Sequence, residues 1–163
     1  MKKINFKSLA FHLLVPLMLF FIISMLMPDY NDYYEGLVKP APEIPRIAMI
    51  AVWSMMYLLT GFGAFTLDQS DDEPRRDHKA KAFKSYFWML LVNLFWFPVV
   101  FGLRTFWLGL AWSLGLIILA YVVYRKVSGV KKVSGYFFLP YLIWLLYLVY
   151  FTFGIWALNS GVF

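Results

Sequence analysis

The sequence predicts an all-α membrane protein, built as a bundle of five transmembrane helices. Hydrophobic residues make up 62% of its 163 residues and charged residues only 15%, whereas soluble domains carry about 25% charged residues. Five apolar stretches are each long enough to cross ~30 Å of hydrocarbon as a helix. These stretches cover residues 11–27, 47–67, 83–102, 106–124 and 136–158. We therefore expect a single transmembrane domain over residues 1–163.

The first apolar stretch also has features of a cleavable signal peptide, because three lysines precede it. It is long, however, and it ends in the sequence Met-Leu-Met-Pro at residues 25–28, without the small residues that cleavage requires. We expect this stretch to remain in the protein as a helix that Pro16 bends.

The distribution of basic residues predicts how the bundle is oriented. The N-terminal segment and the connectors at 68–84 and 125–135 carry 12 of the 15 lysines and arginines. With five spans these segments share one side of the membrane, and the positive-inside rule makes it the inner side. The N-terminus is then inside and the C-terminus outside. We expect the first connector to be solvated and the second to be a tight turn, broken by Gly129 and Gly135.

The segment at 28–46, called the lid segment below, falls on the outer side in this topology. It carries four prolines and several acidic residues. Prolines exclude a continuous helix and favour a stiff, partly extended chain. We expect the lid segment to cover the outer end of the bundle.

Several classes of function find no support in the sequence. The motifs of phosphate-binding loops, zinc hydrolases and serine hydrolases do not occur. There is no cysteine and the two histidines lie on different segments, so we expect no metal site. The middle of each span lacks charged residues, which argues against ion-coupled transport. Topology explains the basic connectors, so we expect no nucleic-acid partner.

Polar and aromatic side chains at membrane depth form the candidate site. They share one helix face on each of the second, third and fifth spans. A pocket with one amide and several indoles suits a flat, hydrophobic, aromatic ligand. The alternative, that they are ordinary packing and interfacial aromatics, stays open at this point. The nine candidates are Met49, Trp53, Tyr57, Asn93, Trp96, Phe97, Tyr141, Trp144 and Leu148.

Asn93 supplies the amide of this candidate pocket. An unpaired amide is costly in hydrocarbon, so we expect it to face the interior of the bundle. It should hydrogen-bond to the polar edge of a ligand, or to Trp53 when the pocket is empty.

Five groups of short motifs follow one another in a defined order along the chain. They are Tyr33-Tyr34 with Lys39-Pro40, Trp53-x-x-x-Tyr57-x-x-x-Gly61, Asn93-x-x-Trp96 with Pro98 and Phe101-Gly102, Pro140-Tyr141-Leu142-x-Trp144, and Ile155-Trp156-x-x-Asn159. In order and spacing they resemble the motifs of the translocator protein family, TspO/MBR. Its members are also called tryptophan-rich sensory proteins or peripheral benzodiazepine receptors. The resemblance extends over almost the whole chain.

The resemblance implies a five-helix bundle, commonly a dimer, whose pocket under the lid segment takes porphyrins, heme precursors, sterol-like lipids or isoquinoline and benzodiazepine drugs. Asn93 matches an amide of that pocket. Trp53 and Trp144 match the tryptophans that bacterial relatives are thought to use in light-dependent protoporphyrin breakdown. Leu148 and Thr152 replace a small alanine and an asparagine of the family, which implies a narrower pocket.

The first functional hypothesis is a membrane receptor or carrier for a tetrapyrrole such as protoporphyrin IX or heme, with no obligatory cofactor. One alternative is light-dependent porphyrin degradation through the two matched tryptophans. Another is a regulatory protein whose pocket Leu148 closes and that acts on partners through the connector at 68–84. We expect a homodimer in a bacterial cytoplasmic membrane, with the small pair Ala111 and Gly115 suited to packing between protomers.

Overall fold

The computed structural model describes residues 4–26, 30–70 and 75–160, and helices are the only regular secondary structure over these residues. Five of the helices are long and apolar enough to cross a membrane, which confirms the predicted fold class. The helices are α1 (Phe6–Met25), α2 (Tyr30–Glu35), α3 (Arg46–Asp68), α4 (Arg76–Phe97), α5 (Phe106–Val130), α6 (Lys132–Tyr136) and α7 (Leu139–Asn159).

The first basic connector is more helical than the sequence suggested. Its described residues from 75 to 84 are mostly exposed, as expected of a solvated connector, but α4 already begins at Arg76. The start of α4 is rich in lysine and alanine, which are good helix formers, and Asp77 in the first turn favours the positive end of the helix dipole. Lys79 Nζ donates to the carbonyl oxygens of Asp68 and Ser70 at 2.6 and 3.2 Å, which ties α4 to the end of α3. Residues 71–74 of the connector lie outside the described residues.

The connector at 125–135 is tight, as predicted, but the prediction that Gly129 and Gly135 break it is wrong. The helix α5 continues to Val130, and Lys131 alone separates it from α6. Gly129 and Gly135 lie inside helices, since a glycine in a helix costs only about 1 kcal/mol and does not by itself end it. Lys126 Nζ donates to Ser85 Oγ of α4 at 2.7 Å, so the contact between the two helices extends past their apolar parts.

The five long helices pack in the ring order α1, α3, α7, α5, α4. The helix α5 has extensive contacts with α4 and α7, whereas α1 packs on α3 and α4 from one side. Pro16 is the only buried residue of α1. The helix α1 approaches α3 closely at Gly61, where a Cβ atom would overlap the backbone carbonyl oxygen of His12.

A π-helical turn at Pro98–Gly102 follows α4. The Leu103 amide donates to the Pro98 carbonyl at 3.0 Å, five residues back, so this turn holds one residue more than an α-helical turn. Pro98 has no N–H to donate to the preceding turn of α4, which favours a change of helix type at this point. The wider turn buries three successive residues, 99–101.

From residue 30 onward, the lid segment consists of the short helix α2, which the sequence did not predict, and a stretch without regular structure that leads into α3. Asn159 at the end of α7 bonds both backbone groups of Val38. Its Oδ1 accepts from the Val38 amide at 2.9 Å and its Nδ2 donates to the Val38 carbonyl at 2.8 Å. Farther along, Pro40 packs against Gly154 of α7, where a Cβ atom would lie 2.5 Å from the proline ring.

Two tyrosines of α7 add hydrogen bonds to the same part of the lid segment. The hydroxyl of Tyr147 donates to the Pro42 carbonyl at 3.3 Å, and that of Tyr150 donates to the Ala41 carbonyl. The lid segment is therefore docked along α7, and α2 lies over the space between α3, α4 and α7.

Candidate ligand-binding site

A cavity of about 140 Å³ lies beneath α2, at the lid end of the bundle. Its wall is mainly aromatic. The aromatic residues of the wall are Phe20 of α1, Tyr34 of α2, Trp53 of α3, Trp96 and Phe97 of α4, Phe101 of the π-helical turn and Phe151 of α7. Met49 and Ile50 add aliphatic surface, and Arg46 lies at the rim, where α3 begins.

A smaller void of about 10 Å³ shares Trp53, Trp96 and Phe97 with this cavity. It reaches deeper into the bundle, to Tyr57 and Asn93. Six of the nine candidate residues therefore border the cavity or the void beside it. They are Met49, Trp53, Tyr57, Asn93, Trp96 and Phe97.

Asn93 is 4% exposed and has a polar partner that the sequence did not predict. Its Nδ2 donates to the hydroxyl of Tyr57 at 2.8 Å, so the expectation of a bond to Trp53 is wrong. The two residues are on facing helices, and their polar ends meet because both lie on the inward faces of α3 and α4. Asn93 Oδ1 is buried without a hydrogen-bond partner among the described residues. The amide thus keeps one acceptor at the floor of the site.

Trp53 is the centre of the aromatic wall. Its ring lies 5.7 Å from that of Trp96 and 6.3 Å from that of Phe20, measured between ring centroids. Trp144 meets it edge to face at 5.8 Å from the α7 side. Rings at these distances attract one another through their quadrupoles, so the wall is a connected cluster.

The three candidates on α7 lie behind the wall. Tyr141, Trp144 and Leu148 are buried, and none of them borders the cavity or the adjoining void. Leu148 is completely buried in the helix interface, so it fills the core and leaves the cavity open. The Tyr141 hydroxyl and the Trp144 Nε1 have no hydrogen-bond partner in the part of the chain that the structure describes.

Trp96 is held by a polar contact that sequence reasoning missed. Its Nε1 donates to Ser113 Oγ of α5 at 2.7 Å, and this hydroxyl lies 3.3 Å from Thr152 Oγ1 of α7. Ser113 and Thr152 are both completely buried. A serine inside an apolar span was the available signal, because buried hydroxyls in membrane helices commonly bond across helices.

Other wall residues were not among the nine candidates. Phe20 and Ser24 belong to α1, which is apolar on all sides, so no periodicity marks its inward face. Tyr34 comes from α2, whose helical form was not predicted. Burial raises the pKa of the Tyr34 hydroxyl to about 12, with Glu43 adding to the shift, so it stays neutral at physiological pH.

A second, larger cavity of about 290 Å³ lies between α1 and α4, nearer the start of α1. Its lining includes His12, Pro16 and Tyr86 but none of the nine candidates. Phe11, Phe87 and other exposed side chains form its outer edge, so it opens sideways onto the surface of the bundle. Membrane lipid can fill such a groove, whereas the cavity under α2 has Tyr34 of the lid segment in its wall.

Comparison with known proteins identifies the family. The model of the TspO/MBR family matches residues 10–157. The chain belongs to the TspO/MBR family. It is 27% identical over 129 residues to Protein CrtK of Rhodobacter capsulatus, covering 79% of each chain. It is 26% identical over 121 residues to the tryptophan-rich sensory protein of Cereibacter sphaeroides, covering 74% of this chain and 72% of the relative.

A third relative, the tryptophan-rich protein TspO of Bacillus cereus, is 24% identical over 146 residues, which cover 86% of this chain and 90% of the relative. The family match and the five apolar helices together make this protein a multi-pass integral membrane protein. Its aromatic cavity is accordingly the cavity of a TspO/MBR protein.

Proposed function

We propose that this TspO/MBR protein is a membrane receptor or carrier for a flat, hydrophobic, aromatic ligand, with a tetrapyrrole such as protoporphyrin IX or heme as the leading candidate. The observation that supports it best is the cavity beneath α2, with a mainly aromatic wall and one buried amide in the void beside it. Indole and phenyl faces favour a large π-system, and the open acceptor of Asn93 offers a single polar contact.

The size of the cavity sets a condition on binding. A volume of about 140 Å³ is below the range of about 300–1,000 Å³ typical of ligand pockets. A tetrapyrrole therefore requires the site to widen. The walls best able to move are α1, of which only Pro16 is buried, and α2, in which Tyr34 is the only buried residue among 32–35.

A receptor role agrees with the name of one relative, the tryptophan-rich sensory protein of Cereibacter sphaeroides. The three relatives come from bacteria, and we place this protein in a bacterial cytoplasmic membrane. From the lysine and arginine distribution we infer that the lid segment lies on the outer side and the N-terminus inside. A homodimer is part of the proposal, and its interface would lie on an outward face such as that of Ala111 and Gly115 on α5.

Tryptophan fluorescence tests the proposal directly. Titration of the detergent-solubilised protein with protoporphyrin IX should give saturable quenching, and Trp53→Phe with Trp96→Phe should remove most of its amplitude. The matched control replaces Trp88 and Trp107, which are 53% and 60% exposed, with phenylalanine. Quenching that does not saturate, or that depends on the control pair as much as on the cavity pair, would contradict the proposal.

Illumination of the same complex in air separates binding from light-dependent degradation. The edge contact between Trp53 and Trp144 at 5.8 Å puts two oxidisable rings at and behind the cavity wall. Degradation would bleach the porphyrin faster than in protein-free detergent, and Trp144→Phe would slow the bleaching. Equal bleaching with and without protein would restrict the function to binding.

A further inference from the structure

We propose that Arg46 binds a carboxylate of the ligand, so that the protein selects flat aromatic acids over their neutral esters. The inference rests on the proposed function, because it assigns a role at the same cavity. Of the described residues that line the cavity, Arg46 alone carries a charge. The cavity therefore has an apolar interior and one cationic point on its rim, which matches a ligand with an apolar ring and an acidic edge.

The spacing along α3 relates this charge to the aromatic wall. Arg46, Met49 and Trp53 all line the cavity, and they follow one another at intervals of three and four residues on one helix face. Arg46 is thus about 10 Å above Trp53 along the helix axis. A ring packed against Trp53 would have its upper edge toward the guanidinium, and the length of the arginine side chain covers the remaining distance.

The other cations on this end of the bundle are placed differently. Lys39 Nζ lies 3.5 Å from Glu43 Oε1 and 4.8 Å from the centre of the Tyr34 ring. Arg104 lies over the ring of Tyr33 at 4.6 Å. Neither side chain borders the cavity.

The chemistry of arginine fits this role. Its planar guanidinium forms two parallel hydrogen bonds with one carboxylate, and such charge-assisted bonds are stronger than neutral ones. Arg46 is solvent-exposed at the rim, so the carboxylate can keep part of its hydration while the ring is buried. Selectivity for an acid therefore does not require burial of the charge.

Protoporphyrin IX and its dimethyl ester provide the test, because the ester keeps the ring and loses both negative charges. Dissociation constants of the two ligands are measured by tryptophan quenching in one uncharged detergent. We expect the wild-type protein to prefer the acid by about fivefold to tenfold, as a charge-assisted hydrogen bond at an exposed rim would give. In Arg46→Gln the two ligands should bind about equally, with the affinity for the ester unchanged.

The matched control is Arg104→Gln, which removes a cation from the same end of the bundle without altering the cavity rim. It should keep the preference of the wild-type protein, and Arg46→Lys should restore part of it. An Arg46→Gln variant that still prefers the acid, or an Arg104→Gln variant that loses the preference equally, would overturn the role of Arg46. If the role of Arg46 is overturned but every variant still binds the ester, the proposed function remains intact. Wild-type protein that binds neither ligand would contradict the proposed function itself.

Discussion

The helices α1 and α7 are similar in length and both strongly apolar, yet their packing is opposite. Pro16 is the only buried residue among the 20 of α1, whereas eight of the 21 residues of α7 are buried. The buried face of α7 includes Thr152, Gly154 and three large aromatic residues, while α1 presents mostly aliphatic and phenyl side chains to the outside. In a bilayer, hydrophobicity alone does not drive helices together, because lipid tails are equally apolar.

The comparison shows what does hold each helix. The helix α7 contacts α5 across its length and carries the hydrogen bonds to the lid segment. The helix α1 depends on a close backbone approach at Gly61 and on few polar contacts, such as that of Ser8 Oγ with Asp68 Oδ2 at 2.7 Å. The absence of a side chain at Gly61 of α3 is therefore what allows the backbone of α1 to pack so closely.

The largest effect is expected for Gly61→Ala, which tests whether close approach holds α1 in place. The new methyl group would overlap the carbonyl oxygen of His12, a backbone atom that cannot turn aside. We expect a loss of about 1–3 kcal/mol in the free energy of unfolding, measured by thermal unfolding in detergent.

Gly115→Ala is the control for this change, since a methyl group there would meet nothing within 4 Å. It should not destabilise the monomer and should raise its stability by up to about 1 kcal/mol, because alanine is the better helix former. Equal stability of the two variants would show that α1 does not need its contact at Gly61.

A smaller effect is expected for Ser113→Ala, which tests whether polar contacts hold the α7 side of the bundle. The change leaves the indole N–H of Trp96 and the hydroxyl of Thr152 without Ser113 as a partner. We expect a loss of about 1 kcal/mol and a shift of the tryptophan emission maximum. Ser54→Ala should have almost no effect, because Ser54 Oγ bonds only within its own helix, to the Ile50 carbonyl at 2.9 Å. A Ser113→Ala variant that unfolds like the wild-type protein would contradict this assignment.

The smallest effect on stability is expected for Asn93→Leu, which tests whether the buried amide of α4 contacts the ligand. Polar contacts between membrane helices average only ~0.6 kcal/mol, so the fold should survive. Affinity for protoporphyrin IX should fall roughly twofold to tenfold, as the loss of one hydrogen bond in a dry pocket gives. Tyr57→Phe removes the same contact between the helices but keeps the amide, so its affinity should stay near that of the wild-type protein. Equal affinity of wild-type protein and Asn93→Leu would show that the amide does not contact the ligand.

The number and order of the membrane helices could be predicted from the sequence because apolar length is a direct physical requirement of the bilayer. Their ends could not, since α4 and α5 continue through lysine-rich segments in which helix propensity and the connection to a neighbour outweigh hydropathy. The inward faces of α3 and α4 could be predicted because polar and aromatic residues mark them. Phe20 on α1 was not, because nothing in a uniformly apolar helix distinguishes the face toward α3 from the face toward lipid.

The π-helical turn after α4 also bears on how related sequences are compared. An α-helix advances about 100° per residue, so the extra residue of the turn rotates everything after it by that angle relative to an uninterrupted helix. A relative with one residue fewer between Pro98 and Gly102 could keep both flanking segments and close the turn into an ordinary α-helix. The side chain of Phe101 would then no longer point into the cavity wall as it does here. A one-residue gap at this point of an alignment therefore indicates that a different side chain takes the place of Phe101 in the cavity wall, although every helix is retained.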